Sequence, residues 1–183
     1  MAIDILIAGR LPPNVLPQLE KRFRLHQLPE ERNEAGAFLQ EVGGSIRGML
    51  TNAAQGAPEQ LLSALPKLEI ISSSGVGTDA LNMDIAQARG ISVRTTPGVL
   101  TEDVADGAIA LMLATSRRLM QAERNGLDVL ADEPHVPDAL LELENVVLTP
   151  HYASGTTETR LAMGQRVVDN LLEYFEAELQ GAD

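Results

Sequence analysis

Hydrophobic and polar positions along the first hundred residues alternate between two periods. Ile3-Asp4-Ile5-Leu6-Ile7-Ala8 reads as a buried strand ended by Gly9. Pro12 and Pro13 then open a helix carrying Val15, Leu16 and Leu19. Phe23 to His26 is a short second strand, and Ala37, Phe38, Leu39 and Val42 mark a helix stopped by Gly43-Gly44. Ile46 to Thr51 makes a third strand, and Pro58 starts a helix with Leu61, Leu62 and Leu65 on its inner face. Leu68 to Ile71 reads as a fourth strand, ended by a Ser-Gly cluster. Ala80 to Arg89 reads as a helix with Ile85 and Ala88 inward, and Ile91 to Val93 as a fifth strand. Five short apolar strands separated by segments of helix length predict an α/β fold: a doubly wound parallel sheet flanked by helices.

The texture changes after Pro97. Thr101-Glu102-Asp103 is a helix start, with a hydroxyl to cap and two acids in the first turn. From Val104 to Met120 the helix is apolar on almost every face, which predicts that more than one side is covered. Two strand-like pieces follow, Leu127–Leu130 and Val146–Thr149, with Pro134, Pro137 and acids between them. Thr156 to Leu179 is a long amphipathic helix with Leu161, Val168, Leu171, Leu172, Phe175 and Leu179 along one stripe. The expected organisation is a lobe over 1–100, a long helix over 101–124, a polar and strand-like stretch over 125–154, and a C-terminal helix over 155–183.

Composition narrows the classes. Over 183 residues the absence of cysteine excludes a disulfide framework, thiolate metal sites and a cysteine nucleophile. A net charge of −12 and 3% aromatic residues argue against nucleic acid and anionic membrane surfaces as partners. The N-terminus has no signal-peptide pattern, and the longest apolar run, Ala108–Ala114, is too short to span a bilayer. The expectation is a soluble, cytoplasmic, acidic globular protein.

Three places carry candidate chemistry. Gly75-Val76-Gly77-Thr78-Asp79-Ala80 matches G-x-G-x-x-[GA] between a predicted strand and a predicted helix. Three strands precede it, however, and the acid expected some 20 residues on is replaced by Arg94. A nucleotide cradle, a plain strand-to-helix turn, and capture of a small carboxylate by the N–H groups of Val76 and Gly77 all stay open. His151 follows a strand and a proline, and Glu133 ends the preceding strand-like piece. If those strands are neighbours, the carboxylate raises the imidazole pKa and makes it a usable acid. Taken alone, both are ordinary loop residues. His26 and His135 show no partner pattern and read as surface.

Four segments together are more specific: Ser74-Gly75-Val76-Gly77-Thr78-Asp79; Thr96-Pro97-Gly98-Val99-Leu100-Thr101-Glu102-Asp103-Val104-Ala105; Gly126-Leu127-Asp128-Val129-Leu130 with Asp132-Glu133-Pro134; and Leu148-Thr149-Pro150-His151. With them the chain resembles the D-2-hydroxyacid dehydrogenase family, in its glyoxylate/hydroxypyruvate reductase branch, through nearly its whole length. The resemblance implies a flavodoxin-like substrate lobe and an oxidoreductase transferring hydride between NADH or NADPH and a 2-keto acid. It further implies that the 75–79 loop holds the substrate carboxylate through backbone N–H groups, including those of Val76 and Gly77. In the same resemblance His151 protonates the carbonyl oxygen and Glu133 orients and charges it.

One departure stands out. Family members insert an NAD(P)-binding Rossmann domain between the long helix and the Leu-Asp-Val strand, whereas here Glu123-Arg124-Asn125 runs straight into Gly126-Leu127-Asp128. The segment carrying the family's catalytic arginine goes with it, and Arg124, at the end of the long helix, does not take that role. The expectation is an engineered or truncated chain with the cofactor domain excised, binding no cofactor and inactive in turnover. The stripped helix is expected to find cover in a homodimer, segment-swapped or not, hinged near Pro97–Leu100 or Asn125–Gly126. The alternative is a non-enzymatic flavodoxin-like domain that binds a small carboxylate or only itself, and a weaker third reading keeps residual cofactor binding at Gly75–Ala80.

Overall fold

The computed structural model describes residues 2–116, 125–127, 135–142, 146–148 and 155–180. The chain divides into two compact units, one made of 1–97 with 161–183, the other of 98–160.

The first unit is built on a five-stranded parallel sheet. Its strands are β1 (Ile3–Ile7), β2 (Phe23–Gln27), β3 (Ile46–Asn52), β4 (Ile70–Ser74) and β5 (Ser92–Arg94), in the order β2-β1-β3-β4-β5. Between them run α1 (Leu16–Leu19), α2 (Arg32–Val42), α3 (Glu59–Ser63) and α4 (Met83–Ala88). The predicted α/β architecture, a parallel sheet of five strands flanked by helices, is the one observed.

Both faces of the sheet are covered, because alternate residues of each interior strand point to opposite sides. Ile3, Ile5 and Ile7 of β1 and Leu50 of β3 pack with Val15 and Leu19, and with Val167, Val168, Leu171 and Phe175 of α7 (Thr157–Gln180). Leu6, Met49 and Ile71 face the other way, onto Leu61, Leu62 and Leu65 and onto Ala86. Leu28 and Phe38, Leu39 and Val42 of α2 close that side. The helix over the first face is amphipathic at i, i+4, i+8 (Val167, Leu171, Phe175), so a single stripe suffices to seat it.

The register of β4 departs from the sequence reading. The strand begins at Ile70 and runs through Ser72-Ser73-Ser74, all buried, where a turn was expected. Ser72 is held inside by partners that no local pattern announces, whereas the buried Ser73 hydroxyl has none among the described residues. Asn170 Nδ2 donates to Ser72 Oγ at 3.0 Å, and that hydroxyl reaches the Val167 carbonyl at 3.4 Å. Helix α4 also starts later than Ala80, because residues 78–81 form a turn closed by Leu81 N–H to the Thr78 carbonyl at 2.9 Å. Asn82 then caps it, accepting from Ile85 N–H at 3.2 Å. Ile85 packs inward as expected, partly buried, but its companion is Ala86, and Ala88 is exposed. On α7, Leu161 is 40% exposed and Val167 takes the buried place instead.

His26 is not a surface residue. Its Nε2 lies 2.6 Å from Asp4 Oδ1, its ring is tilted against Phe38, and only 17% of the side chain is exposed. Residues Asp4 and Arg24 are register partners, so His26, two residues on in β2, returns to the same face as Asp4. His135 is exposed as expected.

In the second unit α5 (Thr101–Ser116) lies beside β6 (Asn125–Leu127), which pairs parallel with β7 (Val146–Leu148). A short α6 (Asp138–Leu141) lies between those strands in sequence. Asn125 and Gly126 are inside β6, so that strand starts two residues before the predicted Leu127. Thr156 caps α7 by accepting the Thr159 N–H at 3.2 Å, and its hydroxyl donates to Asp103. That bond, followed by a second from Thr159, holds the Asp103 carboxyl below the ordinary aspartate value. No helix among the described residues is long and apolar enough to cross a membrane.

Candidate functional site

The carboxyl ends of the parallel strands share one edge, and open α/β sheets bind ligands along that edge. β1 leaves it through Gly9, at φ 100°, where a side chain would press on Asn52 Nδ2 at 3.0 Å. Asn52, the last residue of β3, donates through Nδ2 to the Arg10 carbonyl at 2.9 Å and accepts the Gln55 N–H at 2.9 Å. One amide side chain thus ties the exits of the two strands flanking the switch in strand order.

The exits of β3 and β4 are stitched as well. Ala57 N–H donates to the Ala80 carbonyl at 2.9 Å, and Asn82 N–H to the Ala57 carbonyl at 3.3 Å. The approach is so close that a Cβ on Gly56 would stand 2.2 Å from the Ala80 oxygen. Gly56 also has φ 63°, so both space and conformation require glycine there. Underneath, the buried Thr51 hydroxyl donates to the Gly56 carbonyl at 2.7 Å. An open concavity of about 510 Å³ borders this rim between Pro58 and Thr78–Asp84; Val76 and Gly77 do not line it.

The predicted carboxylate loop leaves β4 at Gly75, which has φ 125°. A Cβ there would meet only Ala53 at 3.8 Å, so conformation rather than crowding selects glycine. Gly75 is pinned by the fully buried Thr96. Its N–H donates to Thr96 Oγ1 at 3.0 Å; its carbonyl receives the Thr96 N–H at 2.9 Å and the Thr96 hydroxyl at 3.2 Å. Beyond Gly75 the chain stands into solvent, with the Val76 side chain 49% exposed. Among the described residues the N–H groups of Val76 and Gly77 donate to no protein acceptor. Two adjacent free amides on a braced turn can hold a carboxylate. Asp79 opposes them, with Oδ2 3.6 Å from the Cβ position of Gly77.

The same segment does not suit a dinucleotide. The glycines do not open a helix: α4 starts at Met83, and its first turn is already capped by Asn82. Arg94, a conceivable partner for a 2′-phosphate, is spent on α7, donating to Glu173 at 2.9 Å and to the Asn170 carbonyl at 3.3 Å. Gly75–Ala80 therefore does not fit a pyrophosphate.

Glu133 and His151 lie outside the described residues. Among those described, no cluster of histidine, cysteine, aspartate or glutamate could hold a metal ion.

Comparison with known proteins supplies the family. Residues 5–181 match the model of the D-isomer specific 2-hydroxyacid dehydrogenase catalytic domain. The chain belongs to this family. A D-2-hydroxyacid dehydrogenase relative, the 2-ketogluconate reductase of Gluconobacter oxydans, is 43% identical over 117 residues, which cover 64% of this chain and 36% of that protein. The chain thus spans little more than a third of that relative's length. The glyoxylate/hydroxypyruvate reductase A HPR2 of Arabidopsis thaliana is 28% identical over 302 aligned positions, covering 95% of this chain and 96% of the relative. Since this chain has 183 residues, more than a hundred of those positions have no residue here. Among solved structures, the 2-hydroxyacid dehydrogenase of Ketogulonicigenium vulgare superposes with a TM-score of 0.81 at 25% identity, over 97% of this chain and 96% of that one.

Sequence reasoning singled out Val76 and Gly77 but assigned no part to Asn52 or Thr96. For Asn52 a signal existed, since Asn followed three residues on by Gln and then Gly is the pattern of a side-chain-closed turn. For Thr96 the signal was only its place in the 96–105 segment, because its role depends on β5 lying beside β4.

Proposed function

We propose that this chain is the substrate-binding part of a 2-keto acid reductase from which the cofactor-binding segment is missing. It holds a small 2-keto or 2-hydroxy acid by its carboxylate at the N–H groups of Val76 and Gly77. The observation that carries this reading is the pair of free amides on a turn fixed by Thr96 at the carboxyl edge of the sheet. The long unaligned stretch against the Arabidopsis relative supports the missing segment, as does the direct run from Glu123-Arg124-Asn125 into Gly126-Leu127-Asp128. With the family's arginine clamp expected to be missing together with the cofactor-binding segment, an acid at Asp79 and a net charge of −12, affinity is expected in the millimolar range, about −4 kcal/mol. Hydride transfer needs a nicotinamide within ~3.5 Å of the substrate carbon, and the described residues offer it no cradle. Turnover of glyoxylate or hydroxypyruvate is expected to be absent.

Titration with glyoxylate, followed by amide NMR, tests the binding claim: the Val76 and Gly77 resonances shift together and saturate. A parallel titration with NADPH and NADH leaves the spectrum unchanged, and a coupled assay with either cofactor gives no rate above background. Steady reduction of glyoxylate overturns the proposal. Saturable binding with no turnover supports it, whereas no carboxylate binding at all favours the non-enzymatic alternative. The chain is also proposed to pair with a second copy through α5, where Val104, Ile109 and Met112 are 36%, 50% and 63% exposed.

A further inference from the structure

Val76, Gly77 and Asp79 of the carboxylate loop are exposed, yet the loop's first residue occupies a conformation that an unrestrained chain visits only in part. Something has to select it. We infer that Thr96 is the positioning residue of this loop: its hydroxyl, accepting from the Gly75 N–H and donating to the Gly75 carbonyl, fixes the turn that points the next two amides outward.

Three observations converge on Thr96. Its side chain is fully buried, so the hydroxyl is shielded from water and exchanges no bonds with it. Both polar groups of Gly75 are engaged by this one residue, at 3.0 Å for the N–H and at 2.9 and 3.2 Å for the carbonyl. The side chain that Gly75 lacks would meet only Ala53, at 3.8 Å, so crowding at that position does not hold the turn. The loop's other fastening, Leu81 N–H to the Thr78 carbonyl, closes its far end and leaves Val76 and Gly77 spanning between two fixed points. A binding site made of backbone amides has no rotamers with which to adjust, so its affinity depends on how fully the free protein populates the receptive turn.

Thr96 touches neither substrate nor cofactor, so the test needs a readout beyond loss of binding. The affinity part of the inference rests on the carboxylate reading above; the conformational part does not. In the unmodified protein, amide hydrogen exchange should show Gly75 strongly protected and Val76 and Gly77 exchanging near the rate of an open chain. In Thr96→Ala, Gly75 loses at least tenfold in protection while Ile71, inside β4, keeps its own, and glyoxylate affinity falls about tenfold. Thr96→Ser, which keeps the hydroxyl, recovers both. An unprotected Gly75 in the unmodified protein overturns the inference even if the alanine variant does not fold. So does a folded Thr96→Ala that retains Gly75 protection. Should the unmodified protein bind no carboxylate, the functional reading falls, and the exchange data alone decide the role of Thr96.

Discussion

Two helix glycines offer a matched pair of perturbations with opposite signs. Gly164 of α7 faces the turn between β1 and α1, and a Cβ there would lie 2.4 Å from Asn14 Oδ1 and 2.8 Å from Pro12 Cβ. Neither neighbour can step aside. Asn14 is held by Nδ2 to the Leu161 carbonyl at 3.1 Å, and its own carbonyl accepts Gln18 Nε2 at 2.8 Å. The Pro12 ring has no rotamer to change. Relief therefore requires α7 to lift from a face where Val167, Val168 and Leu171 are fully buried. Overpacking of this kind costs about 1–3 kcal/mol, and alanine returns up to ~1 kcal/mol through its better helix propensity. Gly164→Ala is expected to lose a net of about 1–2 kcal/mol. Gly36 of α2 has nothing within 4 Å of the same position, so Gly36→Ala is expected to gain roughly 0.5–1 kcal/mol. Urea unfolding followed by circular dichroism reads both, as opposite displacements of the midpoint at an unchanged slope. For a chain of this size each kcal/mol moves Tm by roughly 2–4 °C. A Gly164→Ala protein as stable as the parent, measured beside a stabilised Gly36→Ala, would refute the packing argument.

Two further outcomes can be checked directly. Arg47 donates to Glu178 through two nitrogens, each at 2.6 Å, and also to Glu69, which holds the Glu178 carboxyl below its ordinary value, chiefly through that hydrogen bond. A depressed folded value means stabilisation present above the unfolded carboxylate range and lost as pH falls through the folded value. Carboxyl NMR of Arg47→Met should show Glu178 titrating higher than in the parent, and no upward move means the bond is not formed in solution. For the second unit, light scattering at micromolar concentration should give a dimer that the double change Ile109→Asp, Met112→Asp converts to monomer; a parent that is already monomeric refutes pairing through α5.

How much was legible varied with how local the determinants are. β1 and β3 are apolar runs bounded by glycine or polar turns, and their positions follow from neighbours within a few residues. β4 reads poorly because Ser72, Ser73 and Ser74 look like a turn, and the groups that hold Ser72 inside, Asn170 and Val167, are nearly a hundred positions away. His26 looked unpaired for the same reason: Asp4 comes to it only through the register of β1 with β2. At the site, the glycines announced a turn, but a G-x-G pattern alone could not say whether a helix begins at once or after a further turn. The stitch between Ala57 and Ala80–Asn82 decides that, and it is a tertiary fact. The resemblance supplied roles for Glu133 and His151, outside the described residues, which periodicity could not have given.

The first unit takes its strands from one end of the chain and its covering helix from the other, with 98–160 as an excursion between them. Polymer physics makes such a core nearly indifferent to what the excursion contains. The entropic penalty of closing a flexible loop grows only with the logarithm of its length, about 0.6 kcal/mol for each doubling. A tether twice or three times longer would tax the β1–β5 sheet and its α7 cover by only about 0.6–1 kcal/mol. Lineages built on this scaffold are thus free, as far as folding is concerned, to gain or lose a whole catalytic partner at that seam.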